Sequence, residues 1–224
     1  MKVLLSWSSG KDSAWALHLL RAGGVDVAGL VTTLNREFDR VAMHAVRRTL
    51  LEAQAEAAGL PLWTVPLPWP CSNAQYESLM AGLCDRAVAE GIEAMAFGDL
   101  FLADVRAYRE RNLEGTGLKP LFPLWDMPTD ALAREMIEGG VKARITCVDT
   151  RAIAAEFAGR EFDASFLADL PESADPCGEK GEFHSFVYEG PMFRHAVPVR
   201  LGEERVDGDF VFRDLLPAGE PAAA

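Results

Sequence analysis

The sequence predicts an α/β protein: a parallel β-sheet with helices on both faces, joined to a smaller C-terminal α+β part. Three observations predict it. Apolar strand-like runs and helix-forming stretches alternate about four times before residue 120, and that rhythm builds parallel sheets through right-handed crossovers. Glycines close the helical stretches at Gly23-Gly24, Gly59 and Gly91, where a helix stop is cheapest. Beyond Leu121 the rhythm breaks and short alternating runs take over.

Val3-Leu4-Leu5-Ser6-Trp7 is a short apolar run that ends in small polar residues, so it reads as a buried strand entering a tight loop. Residues 12–21 carry Ala14, Ala16, Leu17, Leu19 and Leu20 and read as the first helix. The β-branched run 27–34 is the second strand. Residues 43–58 are rich in helix formers, and 62–65, between Pro61 and Pro66, make the third strand. Residues 73–90 form a helix with Ser72 or Asn73 as its N-cap, and 94–97 form a fourth strand closed by Gly98-Asp99. After the interruption at Phe122-Pro123-Leu124-Trp125, a helix starts at Thr129 and stops at Gly139-Gly140, and 143–148 is again a strand. Residues 183–215 hold alternating runs, with 206–209 as the turn of a terminal hairpin.

Composition narrows the function class. The 224 residues are 49% hydrophobic and carry a net charge of −12, an ordinary globular balance. Acidity opposes a nucleic-acid binder, whose affinity comes largely from basic contacts to phosphate. No apolar run reaches the roughly 20 residues that span a bilayer, and the N-terminus turns polar too soon for a signal peptide, so a cytoplasmic location without membrane contact is expected. Cys71, Cys84, Cys147 and Cys177 are scattered, with no metal-type spacing; most are expected to be packed as small hydrophobes.

The first loop carries the strongest chemical signal. A strand, a small-residue loop and a helix start together make a phosphate site, because the unpaired N–H groups of the first helical turn and the helix dipole favour an anion. Here Ser9, Gly10, Lys11, Asp12 and Ser13 offer amides, Ser8 and Ser13 hydroxyls, and Lys11 a positive charge. A Walker A loop needs glycine where Leu5 stands, and a dinucleotide fingerprint needs three spaced glycines where only Gly10 is present. Neither fits. Ser8-Ser9-Gly10-Lys11-Asp12-Ser13 instead resembles the Ser-Gly-Gly-x-Asp-Ser loop of the ATP pyrophosphatases (PP-loop enzymes) at every position but one. The departure is Ser9, where serine disfavours the positive φ that glycine accepts.

Further segments resemble one family within that group. Thr32-Thr33-Leu34-Asn35, Arg40-Val41-Ala42-Met43-His44, Phe97-Gly98-Asp99, Leu121 to Trp125, and Cys177-Gly178-Glu179-Lys180-Gly181-Glu182-Phe183-His184 are similar to the diphthine–ammonia ligase family, which has an adenine nucleotide α-hydrolase-like, Rossmann-like fold. The likeness covers residues 2 to about 193. It implies a ligase that cleaves ATP to AMP and pyrophosphate, activates the diphthine carboxylate of elongation factor 2, and forms an amide with ammonia. It further implies that Ser8, Ser9, Gly10, Lys11, Asp12, Ser13, Gly98 and Asp99 bind ATP, and that Lys11, Asp12, Glu179 and Glu182 serve catalysis. Asp12 or Asp99 would hold Mg²⁺, since one lysine does not balance a triphosphate. The implied division is an ATP-binding domain at 1–120, a substrate-side subdomain at 121–216 and a tail at 217–224.

Several features stay open at this level. The acceptor is a carboxylate on a small molecule or a protein; the Ala-, Arg- and Gly-rich composition reads as bacterial, where diphthine is not the expected acceptor. Free ammonia is the expected nitrogen donor, and a homodimer is admissible. The competing functions are a tRNA-modifying enzyme with the same loop and an ATP-binding regulatory module without turnover. Among single residues, the alternative readings are Asp99 as a helix N-cap, His44 as a helix-surface residue, and Glu179 and Glu182 as the ordinary acids of a turn. Cys177 with His184 lacks a spacing that supports thiol chemistry. Residues 104–114, including Tyr108, Arg109, Glu110 and Arg111, read as a solvated helix, with a substrate-contact role as the alternative, and Trp63, Trp69 and Trp125 as core or interface residues.

Overall fold

Strand β1 (Lys2–Ser6) is the centre of the first sheet. In the computed structural model, residues 1–37, 40–41 and 46–219 are described. The first sheet also contains β2 (Asp26–Asn35), β3 (Arg40–Val41), β4 (Leu62–Leu67), β5 (Ala94–Ala96) and β6 (Lys119–Leu121). β2 and β5 flank β1 in parallel, β4 lies parallel outside β2, and β6 lies parallel outside β5. The order is therefore β4-β2-β1-β5-β6. Short β3 runs antiparallel to the end of β2, Val41 opposite Leu34.

Helices α1 (Lys11–Ala22), α2 (Arg48–Ala58), α3 (Asn73–Ala89) and α4 (Ala103–Leu113) make the crossovers. The two-residue period of the strands decides which face each side chain covers. Val3 and Leu5 join Ala14, Leu17, Leu50 and Leu51 of α1 and α2 in one buried cluster. Leu4, between them, packs instead with Leu83 and Cys84 of α3 and Leu113 of α4. Helices thus cover both faces, and the central strand β1 is buried on both sides. Of the two expected caps, Ser72 opens α3, as a capping box in which Ser72 and Gln75 exchange hydrogen bonds.

The C-terminal part is a second, antiparallel sheet in the order β8-β7-β10-β9, preceded by α5 (Thr129–Glu138). Its strands are β7 (Lys142–Asp149), β8 (Phe183–Glu189), β9 (Val199–Asp207) and β10 (Phe210–Pro217). β9 and β10 form the expected hairpin, with Asp207 opposite Phe210. Between β7 and β8 lie a single 3₁₀ turn and α6 (Ala164–Asp169), which the sequence reading did not distinguish. The same is true of β6 and β3, each too short for periodicity to register. The helix expected over 43–58 begins at Arg48 among the described residues; His44 and residues 220–224 of the tail lie outside them.

The two sheets share one apolar core, in which Trp7, Trp15 and Leu17 sit in the same cluster as Ile145, Phe166, Phe183, Phe186 and Val211. Gln54 ties the parts together. It is fully buried, accepts from Trp7 Nε1 at 2.9 Å, and donates to the carbonyls of Ser9 and Val187 at 3.0 and 2.6 Å. Three of the four cysteines are buried and all four are free thiols, as their scatter suggested.

Candidate active site

The sheet order reverses direction at β1, with β2 on one side and β5 on the other. The loops that follow β1 and β5 therefore diverge at the strand ends, the place where open parallel sheets hold ligands. The β1 loop runs into α1 through Gly10, whose backbone is extended and which has no side chain to cap the helix; Ser185 Oγ accepts from Lys11 N at 3.2 Å, and the rest of the helix start keeps its affinity for an anion. Ser8 Oγ and Ser13 Oγ lie 3.1 Å apart, and Ser13 Oγ donates to the Gly10 carbonyl at 2.9 Å. Ser9 is fully buried at φ +70°, the strained geometry that its departure from glycine implied. Its carbonyl accepts from Val187 N at 3.0 Å as well as from Gln54, and this pins the loop to β8.

Glycine is required at two points of close approach. A Cβ on Gly98 would sit 3.0 Å from Ser13 N and 3.1 Å from Asp12 C, so the β5 loop lies directly on the start of α1. A Cβ on Gly10 would sit 3.2 Å from the Ser185 carbonyl.

The second part of the chain supplies the opposite wall. Residues 175–182 form a hydrogen-bonded turn in which Asp175 Oδ1 accepts from Cys177 N at 2.8 Å and Glu179 N at 3.3 Å. Glu182, buried, accepts from Asp175 N at 2.9 Å and Lys180 N at 3.0 Å. The turn presents Glu179 to the cleft, where Oε1 accepts from Leu100 N at 2.8 Å. Burial, together with the neighbouring Asp12 and Asp99 charges, pushes Glu179 up to about 7, against the Leu100 hydrogen bond. His184 lines the same cleft and is pushed down to about 4 by burial and by Lys11, so it is neutral at physiological pH.

Lys11 is only 2% exposed. Its ammonium meets both oxygens of Asp12 at 2.9 Å, donates to the Cys177 carbonyl, and lies over the Phe162 and Phe183 rings. Burial pulls its pKa down, but Asp12 and the other nearby groups outweigh that and hold it above the ordinary lysine value. The charge stays, locked between the two parts of the chain. The Cys177 thiol is pushed well up by burial and is not a nucleophile.

The cleft so formed is about 760 Å³, lined by Ser8, Gly10 to Ser13, Gly98, Asp99, Glu179 and His184 among others. A second cavity of about 750 Å³ opens beside it and shares Ser6, Ser8, Phe97 and Arg109. Its wall is more apolar, with Val31, Val65, Met80 and Met95.

The structure brings Ser8, Gly10, Lys11, Asp12, Ser13, Gly98, Asp99 and Glu179 together in one lining. Ser9 lies behind it and Glu182 faces its own turn. Asp99 is not an N-cap: α4 starts at Ala103, and Asp99 accepts from Arg109 Nε at 3.3 Å. Arg109 corrects the reading of 104–114 as merely solvated. It turns inward from α4, over the Phe97 ring, and lines both cavities; in the sequence it is one charge in a charged run. Asp175 and Ser185 were likewise invisible: Asp175 Oδ2 accepts from Thr129 Oγ1 at 2.8 Å and Ser185 Oγ from Lys11 N at 3.2 Å, contacts across long sequence separations. Among the described residues no group of three or more His, Cys, Asp or Glu is arranged to hold a metal.

Fold and site define an α/β nucleotide-binding protein of the PP-loop kind. The comparisons narrow this further. The family model "Diphthamide synthase N-terminal domain" matches residues 1–120, and "Diphthamide synthase C-terminal domain" matches residues 128–215. The chain belongs to the diphthamide synthase family. Relatives include the diphthine–ammonia ligases of Bos taurus and Homo sapiens, each 27% identical over 91% of this chain and 84% of the relative. That of Danio rerio is 24% identical over 95% of this chain and 91% of the relative.

Proposed function

We infer that the chain is an ATP-dependent ligase that joins ammonia to a carboxylate, with release of AMP and pyrophosphate. The observation that carries this reading is the facing pair in one cleft: a helix start whose N-cap, Gly10, brings no side chain on one wall and Glu179, titrating at about 7, on the other. ATP places its triphosphate on the amides of Gly10 to Ser13 and the Ser8 and Ser13 hydroxyls, and its adenine in the adjoining apolar cavity. An acceptor carboxylate oxygen attacks the α-phosphorus and pyrophosphate leaves. Ammonia then attacks the acyl carbon, AMP departs with the bond's electron pair, and Glu179 takes the proton shed by nitrogen. Lys11 holds Asp12 and the Cys177 carbonyl in place, and Glu182 shapes the turn that presents Glu179.

Mg²⁺ fits this site as an ion carried by the phosphates. It is commonly bound by one or two carboxylates besides substrate phosphates and water, and Asp12 and Asp99 line the cleft. It would supply charge neutralisation. Diphthine, the acceptor that the relatives' name states, is the first to test; other small or protein-borne carboxylates follow. No helix among the described residues is long and apolar enough to cross a membrane, and we place the reaction in the cytoplasm.

The test incubates the protein with ATP, Mg²⁺, ammonium and candidate carboxylates and follows AMP and pyrophosphate. The expected result is stoichiometric AMP and pyrophosphate that depend on both acceptor and ammonium. Release of ADP and phosphate, or tight ATP binding with no product for any acceptor, overturns the reading.

A further inference from the structure

The turn that carries Glu179 is fixed from a residue outside the nucleotide cleft. Asp175 is 8% exposed and is not part of the cleft's lining. A buried carboxylate must find donors for its oxygens, and the donors that Asp175 has found all belong to the support of that turn.

Three successive amides converge on this residue. Oδ1 accepts from Cys177 N at 2.8 Å and from Glu179 N at 3.3 Å. Between them, Gly178 N donates to the Asp175 carbonyl at 2.8 Å. The bond to Cys177 N closes an Asx-turn, and Gly178, at φ +70°, carries the chain round so that the Glu179 amide comes back to the same oxygen. Oδ2 accepts from Thr129 Oγ1 at 2.8 Å. Thr129 opens α5, whose N-cap, Pro128, makes no side-chain hydrogen bond, and its carbonyl accepts from Cys177 Sγ at 3.4 Å. Asp175 therefore ties the Glu179 backbone to the first turn of a helix.

Glu182 does a different job. It accepts from Asp175 N and Lys180 N, on either side of the three amides. Among the described residues, Asp175 alone accepts from the amide of Glu179 itself. At the far end of that side chain, Glu179 Oε1 meets Leu100 N in the β5 loop at 2.8 Å. A long, flexible side chain holds its carboxylate in one place only when the backbone beneath it is held.

We propose that Asp175 is a positioning residue for Glu179: anchored on Thr129, it sets the turn so that the Glu179 carboxylate lies at Leu100 in the nucleotide cleft. Its consequence for turnover rests on the ligase reading, with Glu179 as the base; the placement of Glu179 is independent of that reading.

The experiment compares Asp175→Ala with Asp175→Asn in the full chain, with circular dichroism to verify folding. The alanine variant loses the acceptor. The asparagine variant keeps an oxygen for the two amides, and Thr129 Oγ1 can accept from its new NH₂ group. Asp175→Ala is expected to lower kcat about 10–100-fold, the range a small misplacement of a reacting group costs, with the calorimetric Kd for ATP unchanged. Asp175→Asn should restore most of the rate. An unchanged kcat, a loss of ATP affinity that matches the loss of rate, or an asparagine variant as slow as alanine overturns the proposal. A second readout needs no turnover: the amide proton resonance of Leu100. It should move in Asp175→Ala to where Glu179→Ala puts it, and stay at the wild-type position in Asp175→Asn. Thr129→Val, which removes only the anchor, should move it the same way by less, and it decides the matter if Asp175→Ala does not fold. A wild type without ligase turnover sinks the proposed function alone; an unmoved Leu100 resonance sinks the positioning role whatever reaction the protein performs.

Discussion

Ser9 holds φ +70° in a region where a side chain costs of order 1–3 kcal/mol. Two hydrogen bonds to its carbonyl keep it there. Ser9→Gly relieves the strain, and we expect a stabilisation of about 1 kcal/mol in urea unfolding; a loss of stability would show that the serine hydroxyl matters more than the backbone. Glu179 gives the second expectation at this scale. Its folded pKa, about 7, stands above its ordinary 4.5, so the folded state binds the proton more tightly. The stability it contributes is complete below about pH 4.5 and is lost as pH rises through about 7. Activity should move the opposite way, rising through about pH 7 as the base forms. Glu179→Gln should abolish that limb and slow turnover by about 10²–10⁴-fold; a pH–rate profile with the limb intact would remove Glu179 as the base. His184, already neutral above about pH 4, cannot account for it.

At the scale of elements, the site depends on how closely the β5 loop meets the start of α1. Gly98→Ala places a Cβ 3.0 Å from Ser13 N, against backbone that cannot rotate away. We expect at least about tenfold weaker ATP binding and a loss of about 1–3 kcal/mol in stability, read by calorimetry and thermal melting; unchanged affinity would separate the β5 loop from the nucleotide. The β1 loop and Gly98-Asp99 could be read in the sequence because their chemistry is local: small residues after an apolar run, before a helix. Arg109 could not. On α4 it is one charge among several, and only the position of the helix over Phe97 turns it into the cleft. Glu179 and Glu182 were indistinguishable by spacing, yet one lines the cleft and the other faces its own turn.

For the whole molecule, the contact that matters is Lys11 with Asp12 and the Cys177 carbonyl, inside a core shared by both sheets. Removing one member of a fully buried pair costs about 3–5 kcal/mol, but Asp12 keeps 26% of its side chain exposed, and solvent screens the charge left behind. We expect Lys11→Met to lose less than that, and Lys11→Met with Asp12→Asn to lose less again. Because Trp7, Trp15 and Leu17 pack with Phe166, Phe183 and Phe186, the chain should unfold in one transition. Two separate transitions would show that residues 1–120 and 121–216 are independent units.

The sequence alone determined the alternation of strands and helices, the parallel sheet and the phosphate-type loop, since these rest on hydrophobic period and local backbone chemistry. Tertiary structure decided what those residues do together. It buried Lys11 against Asp12 and the Cys177 carbonyl and raised Glu179 toward neutrality. Burial and charge proximity are properties of residues far apart in the chain, and no local pattern encodes them.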